Sequence, residues 1–91
     1  MRFEWDARKA AGNLRKHGVS FEEARTAFDD ELGAYYPDTL HEGRFILIGL
    51  SAKHRLLYVV HAEVRLDAIR IISARKATRR ERRTYEEGPA T

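Results

Sequence analysis

Apolar and polar residues alternate at the start of the chain, which predicts a short first strand followed by a helix. Phe3 and Trp5 would lie on one face of a strand over residues 2 to 5. Asp6 is a favourable N-cap and Gly18 is the residue type that most often follows a helix, so the first helix is predicted between them. The apolar residues at helical spacing in this segment are Ala7, Ala10, Ala11 and Leu14.

A second helix is predicted directly after the first. Ser20 is followed three residues later by Glu23, the capping-box pattern in which each side chain satisfies the backbone N–H of the other residue. Val19 is placed to act as a hydrophobic staple at the start of this helix. The residues that the helix would bury are Phe21, Ala24 and Phe28.

The middle of the chain predicts a small antiparallel sheet. Residues 29 to 43 mix acidic residues with glycine and proline, which indicates a loop with room for a short strand at residues 34 to 36. Three runs rich in apolar, β-branched and aromatic residues follow, and the links between them are short enough for an antiparallel meander. These predicted strands are Phe45–Leu50, Leu56–Val64 and Ile69–Ala74.

The last predicted element is a polar helix. Thr78 and Glu81 form a second capping-box pattern, and Tyr85 is the apolar residue that would anchor this helix to the rest of the protein. The elements together predict an α+β fold in a single domain over residues 1–91. Its expected order is a short strand, two helices, a meander of three or four further strands, and a C-terminal helix.

Composition narrows the class of protein. Hydrophobic residues make up 43% of the chain and charged residues 34%, so there is enough apolar material for a folded core and general disorder is not expected. The absence of cysteine excludes a disulfide framework and a thiolate zinc site. Acidic residues lie where a signal peptide has an apolar stretch, and no apolar run approaches the ~18 residues of a membrane span. We therefore expect a soluble, cytoplasmic protein with no membrane partner.

The net charge is +3, which by itself names no partner, but the surplus is concentrated at one end. Residues 69 to 91 contain seven basic and three acidic residues, while the two earlier thirds are close to neutral. Such a local surplus is compatible with an anionic partner such as RNA.

Alternation along the longest predicted strand divides it into two faces. The residues of one face are Leu57, Val59, His61, Glu63 and Arg65, and those of the other are Tyr58, Val60, Ala62 and Val64. Because the second face is apolar throughout, we expect helices to cover it. The polar end of the first face would be either a solvated edge or one wall of a groove, and the register of the next strand decides whether Arg70 or Arg75 joins His61 and Glu63 there. The sequence leaves that choice open.

A groove with a histidine, a carboxylate, arginines and a tyrosine is suited to cleaving RNA. The 2′-OH of the substrate is the nucleophile, so the protein needs only to remove its proton, neutralise the phosphate oxygens and protonate the leaving oxygen. His61 or Glu63 is the candidate base. Arginine suits the phosphate because its fork of donors matches two oxygens.

Each of these residues also has an ordinary structural explanation. His61 and Glu63 could be a solvated pair at a strand end, and Arg70 could pair only with Glu63. Tyr85 could be an anchor, and His17 would interact favourably with a helix C-terminus. The arginines of the last helix could form a solvated face, and the acidic residues 29 to 31 fit a loop better than a metal site.

The two helices around Gly18 also resemble a helix-turn-helix, which would make the protein a DNA-binding module. The candidate recognition helix is net acidic, however, and phosphate would repel it. The alternatives to an enzyme are therefore a non-catalytic nucleic-acid-binding or protein-interaction module.

Three segments of the chain resemble the BrnT toxins of type II toxin–antitoxin systems. These segments are Phe3-Glu4-Trp5-Asp6, residues 13 to 21 (Asn-Leu-Arg-Lys-His-Gly-Val-Ser-Phe), and residues 69 to 77 (Ile-Arg-Ile-Ile-Ser-Ala-Arg-Lys-Ala) with Glu81 and Tyr85 after them. The resemblance implies a RelE-like ribonuclease fold, RNA cleavage that inhibits translation, and neutralisation by a BrnA-like antitoxin that itself binds DNA. The family usually has proline after the Trp-Asp pair, where this chain has Ala7.

The residues that match the family by position are His17, Arg44, Arg55, His61, Glu63, Arg70, Arg75 and Tyr85. We predict catalytic roles for six of them, namely His61, Glu63, Arg55, Arg70, Arg75 and Tyr85. The residues predicted to bind RNA are Arg44, Lys53, Arg79 and Arg80. The predicted activity is that of a metal-independent endoribonuclease with no cofactor.

Overall fold

A computed structural model describes residues 1–88 as a five-stranded sheet with three helices. The strands are β1 (Arg2–Glu4), β2 (Ala34–Pro37), β3 (Phe45–Leu50), β4 (Leu56–Arg65) and β5 (Ala68–Lys76). The helices are α1 (Ala7–His17), α2 (Phe21–Thr26) and α3 (Arg79–Glu87), and a 3₁₀ turn (Ala27–Asp29) follows α2. Within residues 1–88, no helix is both long and apolar enough to cross a membrane.

The sheet has the order β1-β5-β4-β3-β2, and it is mixed. Strands β2 to β5 form the predicted antiparallel meander, but β1 pairs with β5 in the parallel direction. The sequence analysis did not predict this pairing because it joins Glu4 to Arg70, and local patterns do not encode contacts between residues so far apart. The first strand also ends at Glu4, one residue earlier than predicted.

The predicted helix boundaries are mostly confirmed. Asp6 accepts hydrogen bonds from the backbone N–H groups of Arg8 and Lys9, and Gly18 ends α1 in the left-handed conformation with φ 70°. Ser20 accepts from the backbone N–H of Glu23 at 3.0 Å. The capping box is nevertheless only half formed, because the Glu23 carboxylate binds Arg55 and Ser51 instead of returning to the N-cap.

Helices α1 and α2 do not lie on the Tyr58 face of the sheet. Their apolar residues contact the face that carries Leu57 and Val59. The buried residues of this core are Val19, Phe21, Ala24, Ala27, Leu47, Leu57, Val59, Ile71 and Ala74. We call this side of the sheet the helical face.

The other side of the sheet, which we call the arginine face, has a smaller core under α3. Its buried residues are Ile46, Ile48 and Leu56, with Ala34, Tyr36, Tyr58, Val60, Ala77 and Tyr85 packed partly buried around them. The apolar character of the Tyr58 face is thus satisfied by one short helix. The expectation that helices cover this face is met by α3, whereas α1 and α2 lie on the other face. Apolar residues on both faces of a strand do not reveal which helix lies on which side.

Asn13 fastens α1 to β5. Its side chain is buried, and its amide nitrogen donates to the carbonyl oxygens of Val19 at 2.9 Å and Ala74 at 2.8 Å. Its amide oxygen accepts from the backbone N–H of Ala74 at 3.1 Å. A single side chain therefore satisfies three buried backbone groups that belong to β5 and to the link between the helices.

We predict that Asn13→Ala lowers the free energy of unfolding by about 3 kcal/mol. The change removes three hydrogen bonds and leaves buried backbone groups without partners, each at a cost of about 1 kcal/mol or more. Urea unfolding of both proteins measures the difference. The control is Leu14→Ala on the same helix, where the wild-type side chain is 51% exposed and the loss should be well below 1 kcal/mol. Equal losses for the two variants would contradict the role assigned to Asn13.

Candidate functional site

An irregularity in β5 decides which residues share a face. Val60 pairs with Ser73, but His61 pairs with Ile71, so Ile72 has no partner across the ladder and forms a β-bulge. The alternation of side chains shifts by one residue at this point. As a result Arg70, Ser73 and Arg75 all lie on the arginine face, whereas His61 lies on the helical face.

The expectation that one of these arginines joins His61 and Glu63 is therefore wrong. Arg70 lies opposite Ala62 and Arg75 lies opposite Tyr58, both on the other side of the sheet from His61. A second irregularity between Glu63 and Arg65 moves Arg65 away from the face of His61 as well. The predicted groove does not assemble because strict alternation fails at two positions.

Arg75 is held in place on the arginine face by two neighbours. Its guanidinium lies over the Tyr58 ring, 3.9 Å from the ring centroid, and its two terminal nitrogens donate to the two carboxylate oxygens of Glu81 at 2.8 and 2.9 Å. Both contacts fix the plane of the guanidinium. About a third of the Arg75 side chain stays exposed, so it can still meet a ligand.

Glu81 connects this arginine to the start of α3. The predicted capping box is confirmed, since Thr78 accepts from the Glu81 N–H and the Glu81 carboxylate accepts from the Thr78 N–H at 2.8 Å. Burial acts to raise the pKa of Glu81, but the hydrogen bonds from Arg75 and Thr78 outweigh it and hold the pKa below its ordinary value. Glu81 is therefore a carboxylate at neutral pH.

Two tyrosines border the Arg75–Glu81 pair, and the sequence analysis gave neither a role. Burial raises the pKa of Tyr36, and the nearby Glu81 raises it further. The pKa of Tyr58 is raised by the same two causes. Both phenols are thus neutral hydroxyl donors at physiological pH. Tyr58 could have been found from strand pairing, because it lies directly opposite Arg75. Tyr36 lies on β2, and no local sequence pattern connects it to Arg75.

Arg70 lies further along the same face, beside Glu4. Both Arg70 and Arg65 pair with the Glu4 carboxylate, so the alternative pairing of Arg70 with Glu63 does not form. Hydrogen bonding from Arg70 and the two positive charges hold the pKa of Glu4 below its usual range. The β4 partners of Arg70 and Arg75 are four positions apart, which corresponds to about 13 Å along the strand.

Tyr85 anchors α3 to the rest of the protein, which is the structural alternative to a catalytic role that the sequence analysis gave for it. Its hydroxyl donates to Asp30 at 2.6 Å, and Asp30 also accepts from the backbone N–H groups of Leu50 and Leu32. The hydrogen bond to Asp30 raises the pKa of Tyr85 to about 12. Its proton is therefore firmly held, and Asp30 is occupied by structural contacts.

Arg55 is engaged at the end of the sheet where the β3–β4 turn meets α2. It pairs with the buried Glu23, and it also donates to the Gly18 carbonyl at 3.1 Å. Hydrogen bonding from Arg55 lowers the pKa of Glu23, which also accepts from the Ser51 hydroxyl at 2.7 Å. This arrangement fastens the β3–β4 turn to α2.

His61 and Glu63 line a pocket of about 700 Å³ on the helical face. His61 is 3% exposed and is in edge-to-face contact with Phe28 and Tyr35. Burial lowers the pKa of His61, so the ring is neutral at pH 7. Glu63 is exposed at the rim of the same pocket.

The residues predicted to bind RNA are distributed around the arginine face and the adjoining turns. Arg79 and Arg80 are exposed in the first turn of α3, next to Glu81. Arg44 is half-buried just before β3, and Lys53 is exposed in the turn that also holds Arg55. His17 is half-buried in the last turn of α1, away from these residues in sequence. In the part of the chain that is described, no three His, Cys, Asp or Glu side chains are grouped as metal ligands.

The arginine face thus combines an oriented guanidinium, an ionised carboxylate and two neutral phenols within one cluster. These are the groups needed to stabilise a phosphate, accept a proton and donate a proton. The helical face instead offers a neutral imidazole in an aromatic pocket. The two sets lie on opposite sides of the sheet.

Comparison with known proteins identifies the family and the fold of the chain. A family model described as the ribonuclease toxin, BrnT, of type II toxin-antitoxin systems matches residues 5–81. The 1.1 Å crystal structure of the Brucella abortus ribonuclease toxin BrnT has a similar fold, with a TM-score of 0.72 and 25% sequence identity over 87% of this chain and 99% of that chain. No curated protein matches the sequence significantly. Since the family model spans most of the chain and the fold agrees, the chain belongs to the BrnT family of ribonuclease toxins of type II toxin–antitoxin systems.

Proposed function

We propose that this protein cleaves RNA at the Arg75–Glu81 cluster of the arginine face. The observation that carries the proposal is the two-point contact of Arg75 with Glu81 above the Tyr58 ring. This contact places a guanidinium, which can stabilise phosphate charge, beside a carboxylate, which can accept a proton. Membership of a family of ribonuclease toxins supports RNA as the substrate.

In the proposed step, the 2′-oxygen attacks the adjacent phosphorus, and the bond from phosphorus to the 5′-oxygen breaks. Glu81 accepts the 2′-OH proton, and Arg75 stabilises the charge that develops on the phosphate oxygens. Tyr36 donates a proton to the leaving 5′-oxygen. The products are a 2′,3′-cyclic phosphate and a 5′-hydroxyl, so atoms and charges balance without an added water molecule or metal ion.

The other predicted site residues take different parts in this proposal. Arg70 and the RNA-binding set (Arg44, Lys53, Arg79 and Arg80) contact phosphates of neighbouring nucleotides. Arg55 and Tyr85 hold the β3–β4 turn and α3 in place, because each is already bonded to a partly or fully buried carboxylate. His61 and Glu63 lie across the sheet, so this step does not use them.

The biological outcome follows from the family. An antitoxin partner is implied for a toxin of a type II system. We propose that RNA cleavage arrests translation in the cytoplasm, that a BrnA-like antitoxin neutralises the protein, and that DNA is contacted only through that antitoxin. The mixed sheet, with two helices on one face and a C-terminal helix on the other, supports assigning the fold to the RelE-like ribonucleases.

We predict that Arg75→Ala reduces RNA cleavage by about 10²–10³-fold, because a preorganised donor to the developing charge is lost. Cleavage of a labelled RNA by purified protein, with EDTA present, measures the effect. Arg75→Lys should remain strongly impaired, since an ammonium group lacks the planar fork of donors.

The matched control is Arg8→Ala, which removes an exposed arginine from α1 and should leave cleavage unchanged. In cells, wild type should arrest growth and Arg75→Ala should not. Equal cleavage by wild type and Arg75→Ala would refute the proposed site, and an absolute need for added metal would refute the metal-independent step.

We predict that Glu81→Gln lowers cleavage by about 10²–10⁴-fold, the usual contribution of a general base, while the fold is kept. Glutamine can still form a capping box, so thermal unfolding should change little. The pH profile identifies the base. Because Arg75 and Thr78 hold the pKa of Glu81 below 4.5, wild-type activity should stay constant on acidification from pH 7 and fall only below about pH 4.5.

A base with an ordinary histidine pKa would instead lose activity below about pH 6.5. An unchanged cleavage rate in Glu81→Gln would rule out this carboxylate as the base.

We predict that Tyr36→Phe and Tyr58→Phe differ in their effects on cleavage. Tyr36→Phe removes the proposed proton donor, so the rate should fall about 10²-fold or more. Tyr58→Phe keeps the aromatic ring under Arg75 and should change the rate only a few-fold. Rate measurements with the same RNA compare the two variants, and an RNA with a thiolate leaving group should restore activity to Tyr36→Phe. Equal losses, or no rescue, would remove Tyr36 as the acid.

A further inference from the structure

The pocket on the helical face is built mainly from aromatic rings and is not used by the proposed cleavage step. It is open to solvent and has a volume of about 700 Å³. Its apolar lining includes Phe3, Phe28, Tyr35, Phe45 and Ile69. The rings meet edge to face or at a tilt, and exposed ring faces of this kind can stack on a planar ligand.

His61 supplies an unpartnered polar atom at the bottom of this pocket. The residue is 97% buried, and its Nδ1 lies 3.4 Å from the Val59 carbonyl oxygen. Among residues 1–88, no group makes a hydrogen bond with its other ring nitrogen, Nε2. In the neutral ring with Nδ1 protonated, Nε2 is an acceptor. No buried side-chain nitrogen or oxygen of residues 1–88 lacks a hydrogen-bond partner, so Nε2 is open to the pocket and can accept from a ligand that brings an N–H or O–H donor.

The rim of the pocket adds groups of both hydrogen-bonding kinds. The carboxylates of Asp29 and Glu63 are acceptors, and the Arg25 guanidinium, which lies 5.4 Å from the centre of the Phe3 ring, is a donor. A planar ligand that fits must present N–H donors on one edge and acceptors on another. Guanine does so, with donors at N1 and N2 and acceptors at O6 and N7, the pair that arginine recognises.

We propose that this pocket binds an unpaired guanine base of the RNA substrate. The proposal rests on RNA being the substrate, as proposed above, and deepens it by naming a recognition subsite. In it, the rings of Tyr35 and Phe45 stack on the base, Glu63 and Asp29 accept from its N–H groups, and His61 Nε2 accepts one further N–H. Single-stranded RNA is commonly read in this way, by stacking and by hydrogen bonds to base edges.

Side chains of a partner protein fit this pocket less well. An aliphatic side chain would cover Nε2 of His61 without donating a hydrogen bond to it, and it would make no hydrogen bond to the rim carboxylates. An indole offers a single N–H, which cannot meet acceptors at both the bottom and the rim of the pocket. A tryptophan from a partner is nevertheless the competing occupant, and the experiment below distinguishes it.

Tyr36 is the residue shared by the pocket and the proposed cleavage step. It belongs to the edge strand β2 and borders the pocket, whereas Arg75 lies on β5, with β3 and β4 between them. In the proposal, an RNA strand passes around the β2 edge, so that one nucleotide lies at Arg75 and another nucleotide of the same strand enters the pocket.

The test is titration of the full-length protein with guanosine, followed by two-dimensional NMR. Guanosine carries no phosphate, so it probes the pocket without binding Arg75 through charge. We expect shifts of the pocket resonances and of His61 Nε2, and binding about tenfold weaker for inosine, which lacks the N2 amino group. Glu63→Gln should also weaken guanosine binding about tenfold, and Tyr35→Leu should weaken it by a similar factor.

Arg75→Ala is the matched control, since it should bind guanosine like wild type while losing cleavage. Guanosine binding without any RNA cleavage would retain the pocket and reject the proposed function, and cleavage without guanosine binding would do the reverse. Equal binding of guanosine, adenosine, cytidine and uridine would overturn the guanine assignment. Tighter binding of N-acetyltryptophanamide than of guanosine at the same resonances would overturn it in favour of a protein partner.

Discussion

The hydrogen bonds between the Asn13 side chain and the backbone of Ala74 are the constraint on which the rest of the structure depends. Strand β1 pairs with β5 only from Ala68 to Arg70, so the remainder of that side of β5 needs other partners. Asn13 supplies them from α1. Its amide nitrogen donates to the Ala74 carbonyl oxygen and its amide oxygen accepts from the Ala74 N–H, as the backbone of a neighbouring strand would. It thereby holds β5 in the register that follows the bulge at Ile72 and keeps Arg70 and Arg75 on the same face.

The sequence predicted the elements more reliably than their relative orientation. The strands from Phe45 and from Leu56, the caps at Asp6 and Gly18, and the Thr78–Glu81 capping box depend on nearest neighbours, and these were correct. The bulge at Ile72 has no glycine to mark it in the sequence, and the Asn13 contact that fixes the neighbouring Ala74 comes from about sixty positions away in the chain. Face assignments that assumed strict alternation therefore failed beyond it.

The candidate site shows the same division. Arg75 was identified by its residue type and by the family resemblance, but its partners Tyr36 and Tyr58 were not, since their proximity depends on the order of β2 to β5. Glu23 shows how a correct local motif can mislead. Ser20 and Glu23 have the capping-box pattern, yet a charge pair with Arg55 is worth more to a nearly buried carboxylate than a hydrogen bond to one N–H. The spacing of Ser20 and Glu23 in the sequence does not show which of these partners the Glu23 carboxylate binds.

The pairing of the arginines also changes the meaning of the net charge. Arg55, Arg65, Arg70 and Arg75 each contact a carboxylate, so the basic surplus of residues 69–91 comes mainly from the exposed arginines of α3. A guanidinium already held in one plane loses little conformational entropy when it binds a phosphate. Such a group therefore binds phosphate mainly through oriented hydrogen bonds and less through general electrostatic attraction. Binding by such groups should depend less steeply on salt than binding by the exposed Arg79 and Arg80, whose contribution is mainly counterion release. In the proposed reaction the nucleophile belongs to the RNA, so a few fixed side chains on an open sheet face are sufficient for a small domain.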